Sequence, residues 1–173
     1  MEKINSLTGM TDLIETKADE NVLANKVFQT EKILKEIFTT YAMSEIRTPA
    51  LENTNLFKRS VGDTSDIVNK ELYTFSDKND KSITLRPEGT ASVMRSIIEK
   101  KLDGETHKLW YLGPMWRYER PQKGRYRQFN QAGIEILGYP EGAPEFEMIS
   151  MICELNRKLQ IRKPLIKINH LGD

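Results

Sequence analysis

The sequence predicts an α+β fold, a largely antiparallel sheet flanked by helices. Three observations predict it. Two strand-like runs, "HKLWYLGPMWRYE" and "RQFNQAGIEILG", are joined by a short polar loop, the pattern of a long hairpin. A second, shorter hairpin is signalled by "KELYTF" and "SITLRP" on either side of "SDKND". Helical segments stand before, between and after these, giving the order helix, strands, helix, long hairpin, helix, strand.

The elements follow in order. Residues 1–18 read as irregular, with turn signals at Gly9 and at Thr11 and Asp12. Over about 19–41, Val27, Leu34 and Tyr41 recur every seven residues, and Ile37 and Phe38 fill the stripe of a core-facing helix. In "SEIRTPALE", Ile46, Thr48 and Ala50 alternate with Glu45, Arg47 and Pro49, which suggests a strand. Pro49 lacks a ladder donor and belongs on an edge, at a bulge or against another subunit. A short helix is expected near 54–60, stopped by Gly62. A second helix is expected from Pro87, a suitable first helical residue, to about Lys101. After the long hairpin a third helix covers about 143–159, and "PLIKINHL" reads as a last strand.

At 173 residues the chain can bury one modest core. Its 26 basic and 25 acidic residues leave a net charge of +1, too little for a protein that coats nucleic acid by bulk electrostatics. Cys153 is the only cysteine, so no intrachain disulfide forms, and a reducing, cytoplasmic setting is expected. No apolar run approaches the roughly 18 residues of a membrane span, and the N-terminus lacks the apolar block of a signal peptide.

The charge is concentrated locally. Between the arms of the long hairpin, Arg117, Arg120, Lys123, Arg125 and Arg127 stand against Glu119 alone. Side chains alternate faces along a strand. Even positions (Trp110, Leu112, Trp116, Ala132, Ile134, Ile136) are mostly apolar. If odd pairs with odd, Arg117, Glu119, Arg127, Gln131 and Glu135 share one surface, with Phe129 among them. Gly113 and Gly133 would then leave room for a ligand there. Arginines grip phosphate, an aromatic can stack on a planar base, and carboxylates want a cationic or donor-rich partner. Phosphates, a purine and an amino acid would together use every residue type present. The competing reading is an ordinary half-exposed hairpin with salt-bridged arginines. No GxxxxGK[ST] or GxGxxG loop occurs, so a nucleotide would be held by side chains.

A second constellation is "TLRPEGTA", residues 84–91. Glu88 and Thr90 sit at a helix start. Glu88 either stabilises the positive end of the helix or serves as counter-ion to an ammonium group. His107 and His170 are isolated, and Cys153 has no CxxC or HxxH companion, so no protein-built metal site is expected.

Together "LFKRSVGDTSDIVNKELYTF", "TLRPEGTA" and "YLGPMWRYERPQKGRYRQFNQAGIE" resemble histidyl-tRNA synthetase, a class II aminoacyl-tRNA synthetase, from about Leu7 onward. Residues about 41–52 look like that class's motif 1, at a homodimer interface and ending in a proline, here Pro49. Residues about 108–137 look like motif 2. The resemblance implies ATP-dependent activation of L-histidine to histidyl-adenylate, with Mg2+ bound mainly through the ATP phosphates, and transfer to tRNA(His). By matching position, Arg117 grips the α-phosphate as the catalytic residue, Glu119 approaches the adenine amine, Phe129 stacks on adenine and Arg125 reaches the outer phosphates. Glu88, Thr90 and Gln131 surround the histidine ammonium, and Glu135 faces the imidazole.

The chain departs from the family at Ala42, where glycine often follows the tyrosine, and at Asn130, usually histidine. Asn130 falls on the even face. The family's motif 3 and anticodon-binding domain are absent. The expectation is therefore an incomplete class II core, residues 1–173 forming an N-terminal portion of the catalytic domain, with little activity by itself. The alternative is a histidine-sensing, synthetase-like regulatory subunit of ATP phosphoribosyltransferase, which would not need the ATP set Arg117, Glu119, Arg125 and Phe129. Two further rivals are a class II synthetase for another amino acid and a nucleic-acid-binding piece that uses only the basic loop.

Overall fold

The computed structural model of the chain describes residues 4–15, 22–62, 70–120, 122–162 and 164–169. In chain order they form α1 (Val22–Thr40), β1 (Ser44–Glu45), β2 (Leu51–Asn53), α2 (Thr54–Val61), β3 (Thr74–Ser76), β4 (Ser82–Leu85), α3 (Thr90–Glu99), β5 (His107–Trp116), β6 (Gln128–Leu137) and α4 (Ala143–Lys158). The strands make two three-stranded sheets, ordered β1-β5-β6 and β2-β4-β3. Only β1 with β5 is parallel; the other pairings are antiparallel. The α+β class with a largely antiparallel sheet is the observed architecture. Among the described residues no helix is long and apolar enough to cross a membrane.

The stripe on α1 does what its period requires. Ile37 and Phe38 are buried with Met43, Trp110 and Met151, and Leu34 and Tyr41 pack at the margin of that cluster. Phe38 stacks on Trp110 at 5.0 Å between ring centroids. The helix ends in a Schellman turn. The Met43 amide donates to the Phe38 carbonyl at 2.9 Å, the Ala42 amide to Thr39 at 3.0 Å, and Ala42 sits in the left-handed region at φ 53°.

The single strand expected over "SEIRTPALE" is instead two short pieces in different sheets, β1 and β2. Pro49 and its neighbours lie between them. A guanidinium replaces the ladder there: Arg86 Nη1 donates to the Thr48 carbonyl at 2.7 Å and to its hydroxyl at 3.0 Å. Arg86 Nε also donates to the Pro114 carbonyl of β5, at 3.1 Å, which pins the irregular segment to the long hairpin.

Helix α2 starts where the Asn53 side chain accepts from the Asn55 amide and stops at Gly62, φ 89°, as expected. The short hairpin is β3–β4; in its loop Asp77 Oδ1 accepts from the Asn79 and Lys81 amides. Beneath it the hydroxyls of Thr54, Thr74, Thr84 and Ser82 bond to one another at 2.8–2.9 Å. Helix α3 begins at Thr90, three residues later than Pro87. Pro87 is fully buried and its carbonyl accepts from Arg117 Nε, so that peptide is committed outside the helix.

Helix α4 matches its expected span. Residues 164–169 are not a strand, and Leu165 and Ile168 are largely exposed. Alternation marks a strand only where a sheet edge receives it. The end of that run, His170 included, lies outside the described residues, as do residues 63–69 of the stretch "LFKRSVGDTSDIVNKELYTF".

Candidate functional site

Strands β5 and β6 pair odd with odd. Leu109 faces Glu135, Tyr111 faces Gly133, Gly113 faces Gln131 and Met115 faces Phe129. The ladder continues as the Arg117 amide donates to the Arg127 carbonyl at 2.9 Å. Phe129, Gln131 and Glu135 therefore share a face with Arg117. The seven residues from Phe129 to Glu135 span about 20 Å of strand. The even face is committed elsewhere: Trp110, Leu112, Ile134 and Ile136 pack against α1 and α4, and Asn130 Nδ2 donates to Glu31 of α1.

The odd face is less polar than alternation alone implies. Tyr111, Met115, Val93 and Ile97 are buried in a second cluster, with Leu109, Phe129 and Leu137 at its margin. Helix α3 covers that part of the sheet. The polar residues form a band around this plug.

At one end of the band lie the cations. Arg117 is half-buried, held by its bond to the Pro87 carbonyl at 2.9 Å, and its guanidinium carbon is 5.1 Å from the Phe129 ring centroid. Glu119 accepts from Arg125 Nη1 at 3.1 Å; its side chain is 17% exposed against 62% for Arg125. The basic loop is a built turn rather than a loose one. Gln122 and Arg125 bridge across Gly124, which takes φ 84°. Arg127 lies over the Tyr118 ring at 4.1 Å and donates to the Glu119 carbonyl at 3.2 Å. The Gly9 carbonyl accepts from both the Arg127 and Gln128 amides, so the N-terminal segment ties down the base of the loop. Arg127, which the sequence placed on the ligand face, is thus a bracing residue.

At the other end lie the carboxylates. Glu88 accepts from the Thr90 amide at 2.6 Å and the Ala91 amide at 3.0 Å. It caps the first turn of α3, and the cap fixes its direction. Thr90 Oγ1 donates to Glu135 Oε1 at 2.7 Å, joining α3 to β6. Burial pushes the Glu135 carboxyl above its ordinary range and the charge of Glu88 adds to this, while the Thr90 hydroxyl pulls it back. Between the ends, Gln131 Oε1 is buried without a hydrogen-bond partner among the described residues. An orphaned buried acceptor can take a donor from a ligand or from water. The face can therefore take an elongated molecule that is anionic at one end and cationic at the other.

Two expectations change. The space at Gly133 is not open: a Cβ there would fall 2.2 Å from the Tyr111 ring. At Gly113 it would fall 2.9 Å from Arg86 Nη2. Those glycines make room for protein side chains. Arg86 itself gave no signal in the sequence, since its neighbours Thr48 and Pro114 are remote in the chain. Tyr111 carried one, because a large side chain directly across a ladder from glycine fills the gap. Pro49 is exposed and lines an open cleft of about 1090 Å³ together with Arg47, Glu88, Thr90, Met94 and Arg95.

Comparison with known proteins gives consistent results. The family model described as histidyl-tRNA synthetase matches residues 20–172. The chain is 51% identical over 144 residues to the histidine–tRNA ligase of Geobacter sulfurreducens, covering 82% of this chain and 35% of that protein. It is 45% identical over 174 residues to the histidine–tRNA ligase of Prochlorococcus marinus, covering all of this chain and 39% of that protein. The chain thus spans well under half the length of these relatives. Among solved structures, apo S. aureus histidyl-tRNA synthetase superposes with a TM-score of 0.73 at 38% identity, over 92% of this chain and 36% of that one. An ATP phosphoribosyltransferase regulatory subunit/histidyl-tRNA synthetase from Bacillus halodurans C gives 0.72 at 21% identity, over 91% and 38%, which shows a shared fold alone.

Proposed function

The chain belongs to the histidyl-tRNA synthetase family, and from that premise we propose that the odd face of the long hairpin is the ATP- and histidine-binding face of a histidine–tRNA ligase. The observation that carries this reading is the order of groups along that face, with Arg117 and Phe129 at one end, Gln131 between, and Glu135 joined to Thr90 at the other.

In this reading ATP lies at the cationic end. Phe129 stacks on adenine, Glu119 accepts from its exocyclic amine and Arg125 reaches the outer phosphates. Arg125 is already paired with Glu119, so ATP binding exchanges that ion pair for phosphate contacts. Histidine lies at the acidic end, its ammonium among Glu88, Thr90 and Gln131 and its imidazole N–H against Glu135. The histidine carboxylate oxygen forms a bond to the α-phosphorus as the bond to the bridging oxygen breaks, and pyrophosphate leaves with the electron pair. Arg117 binds the α-phosphate, where negative charge is stabilised in the transition state. Its bond to the Pro87 carbonyl sets its direction beforehand, so catalysis here is chiefly positioning. Mg2+ would be held mainly by the ATP phosphates, where it would neutralise charge. Transfer of the histidyl group to tRNA(His), in the cytoplasm, completes the reaction.

We place a homodimer contact at Pro49. Leu51 and Ile98, exposed at 44% and 62%, provide apolar surface on neighbouring elements. A sensing, non-catalytic relative with the same fold would keep the acidic end and dispense with the cationic one; here both are present.

Calorimetry with this chain tests the reading. Histidine should bind in preference to other amino acids and be lost in Glu135→Gln, while ATP should be lost in Arg117→Ala with histidine binding kept. Equal binding of several amino acids would contradict the histidine assignment. ATP binding that survives Arg117→Ala would contradict the phosphate assignment.

A further inference from the structure

Arg117 takes its direction from one acceptor, the Pro87 carbonyl, and that acceptor must itself be held. Proline has a fixed φ of about −65° and no amide hydrogen to anchor it. The place of the Pro87 carbonyl therefore depends on the residue before it, Arg86, which has no part in the function proposed above.

Arg86 is tied through both backbone groups and through its side chain. Its amide donates to the Ala50 carbonyl at 3.0 Å, and its carbonyl accepts from the Trp116 amide at 3.1 Å. Its Nε donates to the Pro114 carbonyl, and Nη1 donates to the Thr48 carbonyl and hydroxyl. Residues 86 and 87 are thus fastened along the end of β5 by three bonds: Arg86 Nε to Pro114, the Trp116 amide to Arg86, and Arg117 Nε to Pro87. Segment 48–50 holds the same pair from the other side.

The choice of arginine needs a reason. Its acceptors here are neutral oxygens, and burying a cation among them is costly. Burial pulls the Arg86 pKa below its ordinary range, and the charge of Glu52 offsets part of this. Only a guanidinium offers a planar fork of donors that can serve two remote segments at once. Lysine gathers its donors on one nitrogen. The fork is also fitted to its place, since a Cβ at Gly113 would fall 2.9 Å from Nη2.

We propose that Arg86 is a positioning residue for the phosphate end: its forked side chain fixes residues 86 and 87 between segment 48–50 and β5, and through the Pro87 carbonyl it holds the Arg117 guanidinium in place for the α-phosphate. The role of Arg117 rests on the function proposed above; the path of bonds from Arg86 to Arg117 does not. Glu88 comes next in the chain, but the acidic end has its own anchors. The Thr90 and Ala91 amides fix the Glu88 carboxylate, and Thr90 is bonded to Glu135. Loss of the fork should therefore act on one end of the ligand face.

The test uses the 173-residue chain and Arg86→Lys, which keeps the charge and replaces the fork with a single donor nitrogen. The first readout is hydrogen exchange of the Arg117 Nε–H, followed by NMR without ligand. The second is ATP and histidine affinity by calorimetry. Exchange is expected to speed up and ATP binding to weaken, each about three- to tenfold, with histidine binding within about twofold of the parent. Gly113→Ala leaves both arginines present and displaces Nη2, so it should also speed Arg117 exchange; it carries the test if Arg86→Lys fails to fold. Unchanged Arg117 exchange overturns the proposal, and so does faster exchange with ATP affinity intact. Equal losses of ATP and histidine binding would make Arg86 a general prop and overturn it too. If the parent binds no ATP while the exchange responds as stated, the positioning role stands and the phosphate reading fails.

Discussion

At Glu135, burial and the nearby charge of Glu88 hold the carboxyl above its ordinary range against the pull of Thr90. A carboxyl raised in the folded state binds its proton more tightly there than when unfolded. Its contribution favours folding fully below the unfolded value and is lost as pH rises through the folded one. Glu135→Gln should therefore stabilise the chain at neutral pH, by less than about 1 kcal/mol for so partly solvated a group, and the gain should vanish in acid. Thermal melts at about pH 7 and pH 4 check this; a destabilised Glu135→Gln at neutral pH would contradict it. Phe129 makes a separate prediction. Replacing it with leucine keeps much of its packing against Met115 and removes the stacking face, so ATP affinity should fall by roughly 1–3 kcal/mol while histidine affinity holds. Affinity for inorganic triphosphate should be unaffected, which distinguishes lost stacking from lost phosphate contacts. The face assignments of Arg117, Phe129, Gln131 and Glu135 were legible in the sequence because strand alternation is geometric. The Arg86 contacts to Thr48 and Pro114 were not, because they join residues distant in the chain through one buried guanidinium.

Element ends follow the same division between local and remote causes. Helix α1, α2, the short hairpin, the long hairpin and α4 were all legible, each from its own period and its own stop residue. The strand expected over 44–52 divides because Pro49 and Arg86 take that segment out of any ladder, and α3 starts late because the Pro87 carbonyl serves Arg117. The α1 terminus carries a prediction. Ala42 holds φ 53° in a Schellman turn, where an L side chain costs about 1 kcal/mol relative to glycine. Ala42→Gly, which restores the residue often found there in the family, should raise stability by roughly 0.5–1 kcal/mol in urea unfolding. A loss of stability would mean that the entropy of the unfolded glycine outweighs the relieved strain. Thr84 makes a second one. It is fully buried and bonded to Thr54 and Thr74; Thr84→Val removes both bonds, but Thr54 keeps Ser82 and Thr74 is exposed to water, so the cost should be about 1 kcal/mol.

Across the whole molecule, the sheet separates two tasks. Its even face joins α1 and α4 in the core, while its odd face is half plugged by α3 and leaves a polar band exposed to ligands. A dimer contact at the Pro49 cleft would place a second copy beside the acidic end, because Glu88 and Thr90 line the same cleft. A nucleic-acid-binding role for the basic loop alone would predict something different: binding that falls steeply with salt, shows no preference for ATP and ignores the acidic end. The most direct test is NMR mapping of the chain with MgATP and with histidine, at low and moderate salt. ATP is expected to perturb Arg117, Arg125 and Phe129, and histidine to perturb Thr90, Gln131 and Glu135, with both sets persisting as salt rises. Perturbations confined to residues 120–127, equal for any polyanion and erased by salt, would contradict a shared ligand face.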